Sequence, residues 1–119
     1  MANFKYDLTI NQGETLEKKF TWKAGNPAQP VDLSDVTDAR MQVRTSAASS
    51  TVLLELNKTA GSIVVGTTNG EITLSLTAAQ TSAITWRSAL YDLEVTFQGG
   101  RVVRLLQGCV NVTPEITRD

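Results

Sequence analysis

The stretch Ala89–Gln107, ALYDLEVTFQGGRVVRLLQ, decides the fold. Tyr91, Leu93, Val95 and Phe97 alternate with Asp92, Glu94 and Thr96, the two-residue period of a strand with one buried face. Gln98-Gly99-Gly100-Arg101 interrupts the pattern, and two glycines can both take the positive φ that a tight hairpin turn requires. The return strand begins at Val102 and is apolar on both faces, with Val103 and Leu105 on one and Val102 and Leu106 on the other. A strand of that kind is expected to be covered on both sides. Gly108 is expected to break it, with Cys109, Val110 and Val112 continuing beyond a bulge.

Working outward, Tyr6, Leu8 and Ile10 alternate with Asp7 and Thr9 in a first strand that ends at Asn11-Gln12-Gly13. Leu16, Phe20 and Trp22 share one face of the next strand, and Lys18 falls on that apolar face, which an edge position or a snorkelling stem accommodates. Gly25-Asn26-Pro27 through Pro30 reads as a loop, and Ser34-Asp35-Val36-Thr37 as a turn. Ala39, Met41 and Val43 alternate with Arg40, Gln42 and Arg44 in a strand with a strongly polar outer face. Ser46–Ser50 is small and polar, the expected mobile loop. Val52–Leu56 reads as a strand, and Ile63–Val65 pairs with Ile72–Leu76 across an Asn69-Gly70 hairpin signal. Thr77-Ala78-Ala79-Gln80 fits a capping box and predicts one short helix over 77–83. Many short strands with a single helix predict an all-β sandwich or small barrel in one domain spanning 1–119.

Eleven basic and twelve acidic side chains leave a net charge of −1, which lacks the basic footprint of a nucleic-acid or anionic-membrane binder. Neither partner is expected. One cysteine, Cys109, makes no internal disulfide, and its apolar setting reads as a buried small hydrophobe. The opening MANFKYDLTI holds no apolar run of signal-peptide length, so the expectation is a soluble protein kept in a host cytoplasm until it assembles. The sequons Asn57-Lys58-Thr59 and Asn111-Val112-Thr113 carry little meaning without a secretory signal.

Catalytic chemistry finds little to work with. The chain has no histidine, which removes the commonest general base near neutral pH and the commonest metal ligand. Asp32, Asp35 and Asp38 have a DxxDxxD spacing, but Leu33 and Val36 interrupt it and no bend glycine follows, so turn capping explains them better than calcium. Asp92 and Glu94 share a strand face that a half-exposed sheet explains without acid–base work. No cofactor, metal or catalytic residue is assigned. Arg40, Gln42 and Arg44 share a face, while Arg101 and Arg104 lie in the hairpin. This cluster is either a cross-strand ion-pair network with Asp92 and Glu94 or a patch for a protein partner. Trp86 beside Arg87 in a turn-like stretch reads equally as an interface anchor or a cap on the core.

Four segments, YDLTINQGETLEKKFTW, PVDLSDVTDARMQVR, GEITLSLTAAQT and YDLEVTFQGGRVVRLLQGCVNVTPEITR, follow one another from Tyr6 to Arg118. In this order the chain resembles a family of small tailed-bacteriophage structural proteins, and more loosely the N-terminal domain of phage baseplate upper proteins. The resemblance implies an immunoglobulin-like antiparallel β-sandwich acting as a non-enzymatic assembly module of a virion, in the tail, baseplate or fibre. Its motifs set the fold, so no functional residue carries over. Baseplate upper proteins continue with a long C-terminal part, whereas this sequence stops at Asp119. That departure admits a stand-alone tail protein, head–tail connector or capsid-decorating subunit. Readings of other classes are a ligand-binding or enzymatic β-sandwich and an adaptor domain that never enters a particle.

The expected partners are other virion proteins and further copies of the chain. Tyr6–Ile10 reads as an edge strand with one charge, Asp7, to discourage pairing, and near-neutral net charge opposes self-association only weakly. Candidate interface residues are therefore Tyr6, Leu8, Arg40, Arg44, Trp86 and Arg87.

Overall fold

Alternation of apolar and polar side chains is realised as two facing sheets in the computed structural model, which describes residues 4–117. In chain order the strands are β1 (Phe4–Lys5), β2 (Leu8–Asn11), β3 (Leu16–Thr21), β4 (Lys23–Ala24), β5 (Gln29–Pro30), β6 (Val36–Arg44), β7 (Leu54–Asn57), β8 (Ile63–Val65) and β9 (Glu71–Leu76). A helix, α1 (Ala78–Ser82), follows, and then β10 (Ser88–Phe97) and β11 (Val102–Thr113). The larger, six-stranded sheet has the order β1-β11-β10-β6-β7, with β2 also paired to β11. The smaller has the order β3-β9-β8, and β4 and β5 form a separate ribbon. One sheet built from the last hairpin and two middle strands, facing another of three, is the strand arrangement of an immunoglobulin-like sandwich.

The organising hairpin forms as its alternation predicts. Gly99 and Gly100 take φ of 92° and 91°, and the turn closes with the Phe97 N–H on the Arg101 carbonyl at 2.8 Å. The Arg101 guanidinium lies 4.2 Å from the centre of the Phe97 ring, so this arginine belongs to the turn. The return strand departs from expectation. It is one continuous strand to Thr113, and the irregularity falls at Leu105, where Leu93 pairs with Leu106 and Glu94 with Arg104. The extra residue turns Leu105 and Leu106 both inward, while Val102 is left 55% exposed. One covered face and a bulge thus account for an apolar run that alternation alone assigns to two covered faces.

Inward side chains of both sheets meet in one cluster. Met41, Val43, Leu93 and Val95 of the larger sheet are fully buried with Ile72 and Leu74 of the smaller. Each such residue contributes about 1.5–3 kcal/mol of hydrophobic stabilisation. The helix is capped as predicted: the Gln80 N–H donates to Thr77 Oγ1 at 3.1 Å and the Thr77 N–H to Gln80 Oε1 at 2.8 Å. Its buried Thr81 hydroxyl donates to the Glu14 carbonyl at 2.9 Å and accepts from the Gly13 N–H at 3.0 Å, tying the helix to the turn after β2.

Three expectations change. The N-terminal strands run parallel to β11, an exception to otherwise antiparallel pairing. Leu8 is 2% exposed and belongs to the core, so it is not an interface side chain. An edge strand exposes its backbone on one side while its inward side chains stay buried. The 25–30 loop carries a short ladder, with Lys23 opposite Pro30 and Ala24 opposite Gln29. Among the described residues no helix is long and apolar enough to cross a membrane.

Candidate assembly face

The outer face of the larger sheet holds a hollow, a shallow concavity of about 830 Å³. Register places its side chains in rows across the strands. In one row Arg104, Glu94, Arg40 and Asn57 stand side by side on β11, β10, β6 and β7. The next holds Gln107, Asp92, Gln42 and Glu55, and the next Cys109, Leu90 and Arg44. Read down the strands, the charges form stripes: Arg104 on β11, Asp92 and Glu94 on β10, Arg40 and Arg44 on β6, and Glu55 on β7.

Some of these charges are satisfied internally. Arg104 Nε lies 3.5 Å from Asp92 Oδ2, with both side chains substantially exposed. Arg44 donates from Nη1 to the Ser49 carbonyl at 2.7 Å and from Nη2 to Gln42 Oε1 at 2.7 Å. Gln42 in turn donates to Glu55 Oε1 at 2.8 Å, and Asn57 Nδ2 to Glu55 Oε2 at 3.0 Å. Those two hydrogen bonds, aided by the Arg40 charge, hold the Glu55 carboxyl below its ordinary pKa. Arg40 and Glu94 differ. They are cross-strand neighbours, yet neither side chain makes a hydrogen bond or ion pair among the described residues.

Both ends of the hollow are built by strand connections. Ser46 and Ala47, just beyond β6, form one wall, and Arg44 grips the same loop at Ser49. The segment expected to be mobile is therefore clamped to the sheet. Lys5, Tyr6 and Asp7 form the opposite wall. There the chain passes close over Gly108, where a Cβ would collide with the Tyr6 carbonyl oxygen and Asp7 Oδ1 would lie at 3.0 Å, so no larger residue fits. The Tyr91 hydroxyl donates to that same Tyr6 carbonyl at 2.6 Å, and Asp7 Oδ1 accepts from the Cys109 N–H at 3.1 Å. Burial pushes the Tyr91 phenol well above its ordinary pKa, and the nearby Tyr6 and Asp7 add to the shift.

The candidate residues distribute unevenly. Arg40, Arg44 and Tyr6 converge on the hollow. Tyr6 is half-buried, edge-on to Phe20 with ring centroids 5.0 Å apart. Trp86 is half-buried and packs on the core, the capping alternative; Arg87 is exposed, and its carbonyl accepts from the Val112 N–H at 2.8 Å. Neither lines the hollow. Cys109 is half-buried on the outer face, not in the core, because Val110 takes the inward position. Sequence reasoning missed Leu90, 42% exposed, although its place out of phase with Tyr91 and Leu93 marked an apolar side chain facing outward. Asp32 accepts from the Ser34 hydroxyl at 2.6 Å and from its N–H at 2.9 Å, which lowers its pKa and fits turn capping. Among the described residues no group of three or more histidines, cysteines or carboxylates could hold a metal ion.

No family model matches the chain, and no curated protein matches it. A solved structure of a chicken TCR is similar to it with a TM-score of 0.55 at 10% identity, over 100% of this chain. The chain spans 58% of the length of that structure's chain. At such identity the likeness concerns the fold, and with the strand order it makes this an all-β, immunoglobulin-like sandwich with one short helix.

Proposed function

We propose that this protein is a non-enzymatic assembly module of a tailed-bacteriophage virion, most naturally of the tail, baseplate or fibre, docking through the outer face of its larger sheet. The observation that carries the docking role is the ordered, mixed-charge array around the hollow, with exposed Leu90 among Arg40, Arg44, Asp92 and Glu94. Small-ligand pockets are mostly apolar and enclosed. An open face lined by charged ends suits a protein surface, where charge pattern sets register and selects the partner. The virion setting rests on the resemblance of the four ordered segments to small tailed-phage structural proteins. Capsid decoration or a head–tail connection would use the same face.

Mass spectrometry of purified particles tests the setting. The expected result is the chain present at a fixed copy number per particle after gradient purification. Its absence from particles, with the protein abundant in infected-cell lysate, overturns the virion reading in favour of an adaptor that stays outside.

A further inference from the structure

We infer that the outer face of the larger sheet binds a second copy of this chain about a two-fold axis that runs parallel to the strands, between β10 and β6. This names the partner for the assembly face and rests on the assembly reading above.

The charge stripes choose the axis. A two-fold parallel to the strands lays β10 of one copy over β6 of the other and β11 over β7, while keeping each row at its own height. The acidic strand of Asp92 and Glu94 then faces the basic strand of Arg40 and Arg44, with Glu94 opposite Arg40 and Asp92 opposite Gln42, while Arg104 comes opposite Asn57 and one row from Glu55. A two-fold in the same plane but perpendicular to the strands lays β10 over β10 and β6 over β6, setting like charges together. Such juxtaposition is strongly disfavoured.

Row matching sharpens the assignment. Glu94 and Arg40 share a row on the two strands that flank the axis. Each therefore meets its opposite in the second copy, twice per dimer, as an isologous contact requires. Among the described residues these are the two charged side chains of the row without a hydrogen bond or ion pair in the protomer. The same operation carries the Ser46-Ala47 wall from the end of β6 over the end of β10. There it lies one row beyond Leu90, at the rim of the hollow.

Size sets the strength. With the axis between β10 and β6, four strand positions overlap, and at about 4.8 Å per strand and six residues at about 3.3 Å they give a face of about 380 Å². Two such faces bury about 760 Å², below the size of a stable specific interface and in the range of a weak one. The dimer is consequently expected to be weak in solution, salt-sensitive, and reinforced by neighbours in an assembly.

Sedimentation velocity of the unmodified protein over a concentration series, at low and high salt, tests this together with a charge exchange. The expected result is a monomer–dimer equilibrium whose dissociation constant rises at least tenfold from low to high salt. Arg40→Glu alone and Glu94→Arg alone are expected to be monomeric, the first presenting two acidic groups at the axis and the second two basic ones. Mixing the two variants is expected to restore a heterodimer, which a merely structural role for either residue does not produce. A parent that stays monomeric throughout overturns the inference. So does a dimer that both variants leave intact, or a mixture that stays monomeric while each variant keeps the parent's far-UV circular dichroism. If either variant fails to fold, Arg40→Gln and Glu94→Gln replace them, each expected to weaken the dimer at least tenfold, and unchanged dimerisation overturns the inference. A parent monomer found in particles sinks this inference and leaves the virion reading standing; a dimer of the expected behaviour absent from particles does the reverse.

Discussion

On the larger sheet the charged side chains of β6, β7 and β10 all point outward, whereas on the smaller sheet Lys18 of β3 points inward. Outward charges in register, such as Glu94 beside Arg40, offer a pattern that another surface can match. The inward lysine does the opposite. It sits between half-buried Leu16 and Phe20 on a strand that pairs with β9 on one edge and, among the described residues, with no strand on the other. A charge on the inner side of an edge strand obstructs any strand that would extend the sheet there. Two sheets over one core thus divide the labour: one face is arranged for contact and one edge is guarded against it.

The largest expected effect removes the core on which the comparison depends. Leu93 is fully buried, facing Met41 on one side and Leu106 on the other. Leu93→Ala is expected to cost about 2–5 kcal/mol in urea melts, the range for a cavity in packed apolar surroundings. A loss under about 0.5 kcal/mol would mean that the inner face of β10 has been misassigned.

Tyr91 joins the two regions, since its ring faces inward and its hydroxyl holds the N-terminal wall of the hollow. Tyr91→Phe is expected to cost about 0.5–1.5 kcal/mol, the worth of one internal hydrogen bond. A pH signature follows from the raised phenol pKa. The folded state keeps this proton above the pH where an unfolded tyrosine, with pKa about 10, has lost it. The Tyr91 contribution is therefore complete below about pH 10 and declines as pH rises toward the folded value. Chemical denaturation between about pH 9 and 11 should show a steeper fall in the parent than in Tyr91→Phe; parallel curves would remove Tyr91 as the source.

On the outer face the effect shrinks further. Arg104 and Asp92 are ion-paired at 3.5 Å but exposed, and such pairs contribute about 0–1 kcal/mol. Asp92→Asn is expected to lower stability by less than about 1 kcal/mol at low salt and by nothing measurable in about 0.5 M salt. A larger, salt-independent loss in urea melts would show that this pair supports the sheet rather than its outer pattern.

How much of this was legible in the sequence follows the same division. The inner faces were readable because burial imposes period two, and the β10–β11 turn announced itself in Gly99-Gly100. The bulge at Leu105 was not, because two adjacent leucines look alike in either phase, and only pairing to Leu93 and Glu94 decides which is extra. Leu8 was misjudged because alternation tells which side chains go inward but not what an edge backbone does. The buried Thr81 left no local signal beyond its place in a short helix, since both of its distant partners come from the turn after β2. At the candidate face, a cross-strand network of Arg40 and Arg44 with Asp92 and Glu94 was one of two readings the sequence left open, but which residue stands beside which required knowing that β6 lies against β10.

The smallest expected change in stability is at Lys18, where it most sharply tests the contrast between the sheets. Its ammonium lies 5.2 Å from the centre of the Tyr6 ring and 5.9 Å from that of Phe20, so the stem lies along apolar surface while the charge is held by two aromatic faces. At a partly exposed site that attraction is worth about 0.5–1 kcal/mol. Lys18→Leu gives it up and gains apolar contact with the same rings, opposing terms of similar size that leave stability within about 1 kcal/mol. The edge, however, loses its guard. The inner side of β3 then reads Leu16, leucine and Phe20 with no charge, on a six-residue strand whose outward backbone groups lack a partner strand among the described residues. The variant is expected to fold with the parent's circular dichroism and to associate through the smaller sheet. That association should persist at high salt, because backbone pairing and apolar contact drive it, whereas contact through the larger sheet weakens. Combining Lys18→Leu with Arg40→Glu separates the two modes in sedimentation velocity: association that survives the second change runs along β3. A Lys18→Leu protein as monomeric as the parent at high salt would mean that something other than this lysine keeps the edge of the smaller sheet free.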